Sequence, residues 1–188
     1  MMDPFDQLYE RMLVARCQLG DADAFAAIVD RYQVRLRYFL RKTLGGLGNA
    51  SSVDDLLQDV WLNVFRSLPR LNDPTAFPAW IYRIARDRAY QELRQSKRAV
   101  PTENCHECAA PADVSDESFS TEEVGLIHDC LNELTQEHRE ALVLRFLQDM
   151  SYESIAAVVD CSVGTVRSRL HYAKKSLRSA IDRRQNHE

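Results

Sequence analysis

The chain predicts an all-α fold: two small helical domains joined by a flexible acidic linker, the C-terminal one containing a helix-turn-helix. Glycine and proline number only six each in 188 residues, so few helices are interrupted from within. Apolar residues recur at steps of three and four in both halves, the period of an amphipathic helix. Between the halves, positions 99–121 show no such period, and positions 101–125 hold seven acids and no cation, the composition of a linker. The expected boundaries are therefore 1–98, 99–121 and 122–188.

The first half reads as a run of amphipathic helices. From Asp23 to about Leu44, Phe25, Ile28, Val29, Tyr32, Leu36, Phe39 and Leu40 line one face, until the glycines of "LGGLGNASS" end the pattern. Ser51 or Ser52 is positioned to cap the next helix, with Asp54 and Asp55 in its first turn, where the macrodipole favours anions. Its apolar stripe is Val53, Leu56, Leu57, Val60, Trp61, Val64 and Leu68. "SLPRLNDPTAFP", with three prolines, is a loop, and a third helix runs from Phe77 to Arg98 on the stripe Ile81, Ala85, Ala89 and Leu93, widened by Trp80 and Ile84.

After the linker, helices are expected at about 122–133, 136–148, 151–159 and 163–182, with Thr135, Ser151 and Ser162 as caps for the last three. The final pair carries the sharpest motif. "SYESIAAVV" has the stripe Tyr152, Ile155, Ala156 and Val159, and only "DCS" separates it from a helix whose stripe is Val166, Leu170, Ala173 and Leu177. Arg167, Ser168, His171, Tyr172, Lys175 and Arg178 fall on the opposite side, with Gly164 and Thr165 in the first turn. Two short helices, a tight turn and a basic second helix form a helix-turn-helix pattern. Arg and Lys neutralise phosphates, Arg grips a guanine edge, and Ser, His and Tyr bond to bases or phosphates. An isolated basic face is as readily a solvated one; the partner helix favours DNA.

The formal charge of −4 conceals that pattern: residues 161–178 hold five cations and no anion. A second basic row, Arg83, Arg86, Tyr90, Arg94 and Lys97, lies along the helix 77–98 and alternates cations with an aromatic, as surfaces for unpaired nucleic acid do. On the preceding helix, Asp55, Gln58, Leu62 and Phe65 share a face. They either dock another protein or leave Leu62 and Phe65 packed within the domain. No nucleotide-binding glycine loop, nucleophile elbow or paired metal motif points to an enzyme.

"DAFAAIVDRYQVRLRYFL", "DDLLQDVWLNVFRSL", "FPAWIYRIARDRAYQELR" and "LTQEHREALVLRFLQDMSYESIAAVV" with "CSVGTVRSRLHYAKKSL" resemble regions 2 and 4 of bacterial RNA polymerase sigma factors of the extracytoplasmic-function group. That resemblance implies a dissociable polymerase subunit that recognises promoters and catalyses nothing itself. It implies core polymerase docking, on the clamp helices of the largest subunit, through Asp54, Asp55, Gln58, Asp59, Leu62 and Phe65. It implies minus 10 contacts from Leu71, Asn72, Tyr82, Arg83, Arg86, Asp87, Tyr90 and Arg94. Minus 35 contacts would come from Gly164, Thr165, Arg167, Ser168, Arg169, His171, Tyr172, Lys175 and Arg178. An anti-sigma factor is an expected further partner, and the acidic linker would run through a basic polymerase channel.

Two positions depart from the family. Asp87 stands where Asn is frequent and, when ionised, only accepts hydrogen bonds; Tyr172 stands where Arg is frequent. A stand-alone helix-turn-helix regulator with an N-terminal interaction domain is the alternative, but it has no use for an acidic-apolar docking helix beside a single-strand-type basic face. No cofactor is expected. Cys105, His106 and Cys108 form a weak candidate metal or redox group, with His128 and Cys130 further on, whereas Cys17 and Cys161 adjoin apolar runs. The five cysteines form no disulfide framework, and no apolar run of about eighteen residues or basic-apolar leader is evident, so a cytoplasmic location is expected.

Overall fold

A computed structural model of the chain describes residues 4–45, 50–99 and 121–185. Every element among them is helical: α1 (Pro4–Gln18), α2 (Ala22–Leu44), α3 (Ala50–Ser67), α4 (Phe77–Ala99), α5 (Thr121–Asn132), α6 (Gln136–Leu142), α7 (Tyr152–Val159) and α8 (Val163–Gln185). The linker candidates Cys105, His106 and Cys108 lie outside the described residues.

Local chemistry sets most boundaries. Asp21 accepts from the backbone N–H groups of Asp23 and Ala24 at 3.0 and 3.1 Å to start α2, and Gly45, with φ +61°, ends it. Thr135, Ser151 and Ser162 accept from the N–H groups of His138, Ser154 and Thr165, the three caps expected from sequence. α3 starts at Ala50, upstream of the Ser51 or Ser52 expected to cap it, so both serines fall inside the helix. Asp54 and Asp55 thus stand beyond the first turn; alanine, the strongest helix former, extends the helix upstream.

Two further differences concern the loop and α6. The loop between α3 and α4 contains two 3₁₀ turns, Leu68–Arg70 and Pro74–Ala76, each with proline near its start, where a missing N–H costs nothing. After Leu142 the helix widens into a π turn, Val143–Leu147, with Gln148 donating to the Val143 carbonyl at 3.1 Å. The chain then reverses through Asp149 at φ +51°, so the single helix expected over 136–148 changes form halfway.

The apolar stripes meet as expected: Ile28, Leu36, Phe39 and Leu40 of α2, Val53, Val60 and Val64 of α3, and Ile81, Ala85 and Ala89 of α4 are fully buried. Leu142, Leu144, Ile155, Val158, Val166, Leu170 and Ala173 form the corresponding packing of the C-terminal half. The two halves pack together, with α7 lying along α4 and α6 against α2, so one apolar cluster runs from Leu13 to Ala173. Sequence spacing contains no sign of this contact.

Candidate nucleic-acid interface

The α7–α8 unit begins at a strained turn. Asp160 closes α7 in the left-handed conformation, φ +54°, and its N–H bonds to the Ala156 carbonyl; Cys161 follows, and Ser162 caps α8. Asp is among the few residues that tolerate this conformation. Val166, Leu170 and Ala173 sink into the core and turn the other side of α8 outward. Arg167, Ser168, His171, Tyr172, Lys175 and Arg178 all stand exposed, with Gly164 and Thr165 at the N-terminal end of the row.

Within that row, the His171 and Tyr172 rings meet edge to face at 5.4 Å, and Ser168 Oγ donates to the Gly164 carbonyl at 3.2 Å. The serine hydroxyl keeps its acceptor capacity for a ligand. Arg169 differs from its neighbours: it is partly buried, and its positive field acts on Glu140 of α6, within the protein.

On α3, Asp55, Gln58, Leu62 and Phe65 are exposed, Leu62 at 51% and Phe65 at 62%. The alternative in which Leu62 and Phe65 pack within the domain is thereby excluded for Leu62; Phe65 leans edge-on against Phe25, with ring centroids 5.2 Å apart. Two acids of this face are already engaged, Asp54 with Arg37 at 3.1 Å and Asp59 with Arg88. Asp59, Leu62, Asn63, Arg66 and Arg88 line a shallow depression beside it.

The loop leading into α4 is held from two sides. Gln18 of α1 donates its side-chain amide to the carbonyls of Leu68 and Leu71, while Asp73 accepts from the Thr75 N–H at 2.8 Å and from its hydroxyl at 2.7 Å. These Thr75 bonds hold the Asp73 carboxyl below its ordinary range. Asn72 is left exposed and Leu71 half-buried.

Along α4 the expected basic row splits. Arg83, Asp87 and Arg94 face solvent, but Tyr82, Arg86 and Tyr90 are turned toward the C-terminal half, contrary to a continuous open row. Arg86 donates to Glu140 Oε1 at 2.8 Å, the Tyr90 hydroxyl reaches Oε2 at 3.3 Å, and the guanidinium lies 4.4 Å over the Tyr90 ring. Tyr82, only 2% exposed, donates to the Gln148 side-chain oxygen. Glu140 is 2% exposed; burial raises its carboxyl pKa against the pull of Arg86. Breaking such a buried pair from one side costs about 3–5 kcal/mol.

Of the remaining cysteine and histidine candidates, Cys17 and Cys130 are buried, Cys161 is half-buried, and His128 Nδ1 lies 3.1 Å from the Tyr38 hydroxyl. No group of three or more His, Cys, Asp or Glu able to hold a metal occurs among the described residues. Nor is any helix among them long and apolar enough to cross a membrane.

Residues 28–99 match the family model for Sigma-70 region 2, and residues 125–177 match Sigma-70, region 4. The chain is 32% identical over 187 residues to the ECF RNA polymerase sigma-E factor of Haemophilus influenzae, covering 94% of this chain and 97% of that protein. It is similar in structure to CnrH, solved in complex with the cytosolic domain of CnrY, with a TM-score of 0.68, 25% identity, and coverage of 93% of this chain and 97% of that one. RpoE of Bartonella quintana, solved with the anti-sigma factor NepR, shares the fold with a TM-score of 0.72 at 22% identity over 84% of this chain and 96% of that one.

Proposed function

The chain belongs to the extracytoplasmic-function sigma factors, and we propose how its surfaces divide the work of such a factor. Sigma factors are DNA-binding transcription initiation factors rather than enzymes, and this one is an alternative sigma factor for promoter recognition. The exposed basic row of α8 is the observation that carries the reading residue by residue.

Arg167, Ser168, His171, Tyr172, Lys175 and Arg178 enter the major groove of the minus 35 element, with Gly164 and Thr165 approaching a phosphate at the start of α8. Arg169 acts from behind them, through its field at Glu140, more than as a base contact. The melted minus 10 strand is held by Leu71 and Asn72 of the pinned loop and by Tyr82, Arg83, Arg86, Asp87, Tyr90 and Arg94 of α4. Asp55, Gln58, Leu62 and Phe65, with Asp54 and Asp59 at the edge, dock on the polymerase clamp helices. Residues 1–98 and 122–188 act as the two promoter-binding domains, joined by the acidic segment 99–121. A protein inhibitor of the anti-sigma type acts by covering these same surfaces, and the location of action is the cytoplasm.

Reconstitution with bacterial core polymerase, followed by transcription from a library of promoter DNA, tests this assignment. Core binding and directed initiation are the expected outcomes. Binding to duplex DNA alone, without core binding or initiation, would sink it in favour of a free-standing regulator.

A further inference from the structure

We propose that the C-terminal half is a built-in competitor for the melted strand: Glu140 and Gln148 occupy, on α4, the places that a phosphate and a base edge take, and hold the free chain closed. The inference rests on the assignment of α4 as a strand-binding surface.

The chemistry of the contact is that of a nucleic-acid strand. A carboxylate offers anionic oxygens to a guanidinium as a phosphate does, and Glu140 presents one to Arg86 at 2.8 Å and the other to Tyr90. The Tyr90 ring, a stacking platform for a base, is covered by the Arg86 guanidinium 4.4 Å away. Gln148 supplies an amide oxygen to the Tyr82 hydroxyl, as a base carbonyl would. Three residues at one-turn spacings on α4 are thus each occupied by a group from the other half, and α7 lies along the same helix.

Closure is also built to be reversible. Glu140 is desolvated on joining the interface, and its carboxyl is drawn upward by burial. Lys42, 7% exposed, and Arg139 are likewise driven down by burial, and among the described residues neither forms an ion pair with a carboxylate. Lys42 reaches only the His128 carbonyl and Asn132 Oδ1, at 3.4 and 3.5 Å. Desolvated ions reduce the net gain of an interface, so a stronger set of contacts can displace it. Arg83, Asp87 and Arg94 stay in solvent on the same helix, which leaves an incoming strand a place to start.

The test uses the full chain as wild type, Glu140→Gln, Gln148→Ala and the Glu140→Ala/Gln148→Ala pair, with circular dichroism verifying helicity. Small-angle scattering reads compactness, and a fluorescent mixed-sequence single-stranded oligonucleotide reads strand affinity. The double variant should have a larger radius of gyration and bind the oligonucleotide about tenfold more tightly, as expected where about a tenth of the wild type is open. Glu140→Gln, which keeps the side-chain shape but leaves Arg86 without its buried partner, should by itself move both readings most of the way in the same direction. Adding Arg86→Ala to the opened double variant should remove the gained affinity.

An unchanged radius in every variant would overturn the latch. An opened chain with unchanged strand affinity, or a gain that survives Arg86→Ala, would overturn the competition. Neither result bears on core binding and initiation, which are read in the reconstitution assay.

Discussion

Gln18 and Leu71 are joined across 53 positions of sequence: the amide of Gln18 donates to the Leu71 carbonyl oxygen at 2.7 Å and also reaches Leu68 at 3.2 Å. One side chain of α1 thereby fixes the turn that presents Asn72. Gln18→Ala should cost about 1 kcal/mol of stability, the net worth of a typical hydrogen bond, and should also slow strand opening at a promoter while leaving duplex minus 35 binding unchanged. Thermal unfolding and permanganate footprinting of the holoenzyme measure the two effects. A fall in melting temperature with normal opening would reduce Gln18 to a structural tie.

Arg167 is exposed on the outer row of α8, free to reach a phosphate or a base. Arg167→Ala should weaken upstream-element binding and lower the slope of log affinity against log salt by about one, because one fewer counterion is released. Binding titrations at several salt concentrations decide this. An unchanged slope would take Arg167 off the phosphate backbone.

Leu62 is half exposed on α3, at the edge of the depression lined by Asp59, Asn63, Arg66 and Arg88. Leu62→Asp should leave helicity intact and change stability by no more than about 0.5 kcal/mol, as surface substitutions do, while weakening core polymerase binding more than about tenfold. Circular dichroism and a fluorescence-anisotropy titration with core separate the two effects. A loss of helicity would place Leu62 in the core after all.

Lys42 gives the fold a pH dependence of known sign. Burial, with Arg139 adding to it against the pull of Asp129, lowers its pKa from the ordinary 10.5 to about 8. The unfolded chain therefore binds the proton more tightly than the native one, and stability rises with pH between about 8 and 9. Cys17 and Cys130, whose thiols burial raises above the ordinary 9.0, work in the opposite direction above about pH 9, and Tyr32, Tyr38 and Tyr82, likewise raised by burial, do so above about pH 10, which bounds the window. Lys42→Met should raise the melting temperature at pH 7 and flatten the rise between pH 8 and 9. A wild-type melting temperature that stays level from pH 8 to 9 would contradict the assignment.

What could be read without the structure is what repeats along a helix. The stripes of α2, α3, α4, α7 and α8, the caps at Thr135, Ser151 and Ser162, and the outward row from Arg167 to Arg178 all follow from 3.6-residue periodicity and short-range hydrogen bonds. The π turn at Val143–Leu147 escaped because its apolar residues also satisfy an α-helical spacing, and the early start of α3 escaped because a cap depends on where the preceding chain enters. Arg169 belongs by sequence to the basic motif, yet it is half-buried, and its charge acts on Glu140 of α6, which no local spacing reveals.

The sequence by itself determined the helical class, the order of the two blocks and the helix-turn-helix, because each rests on residues within a turn or two of one another. Only the tertiary structure decided which cations are available to a ligand. Arg83 and Arg86 are three positions apart with the same chemistry, but Arg86 meets Glu140, 54 positions away, while Arg83 remains in solvent. Local periodicity specifies which face of α4 is polar; what comes to lie on that face depends on the docking of two halves whose pairing no local spacing encodes.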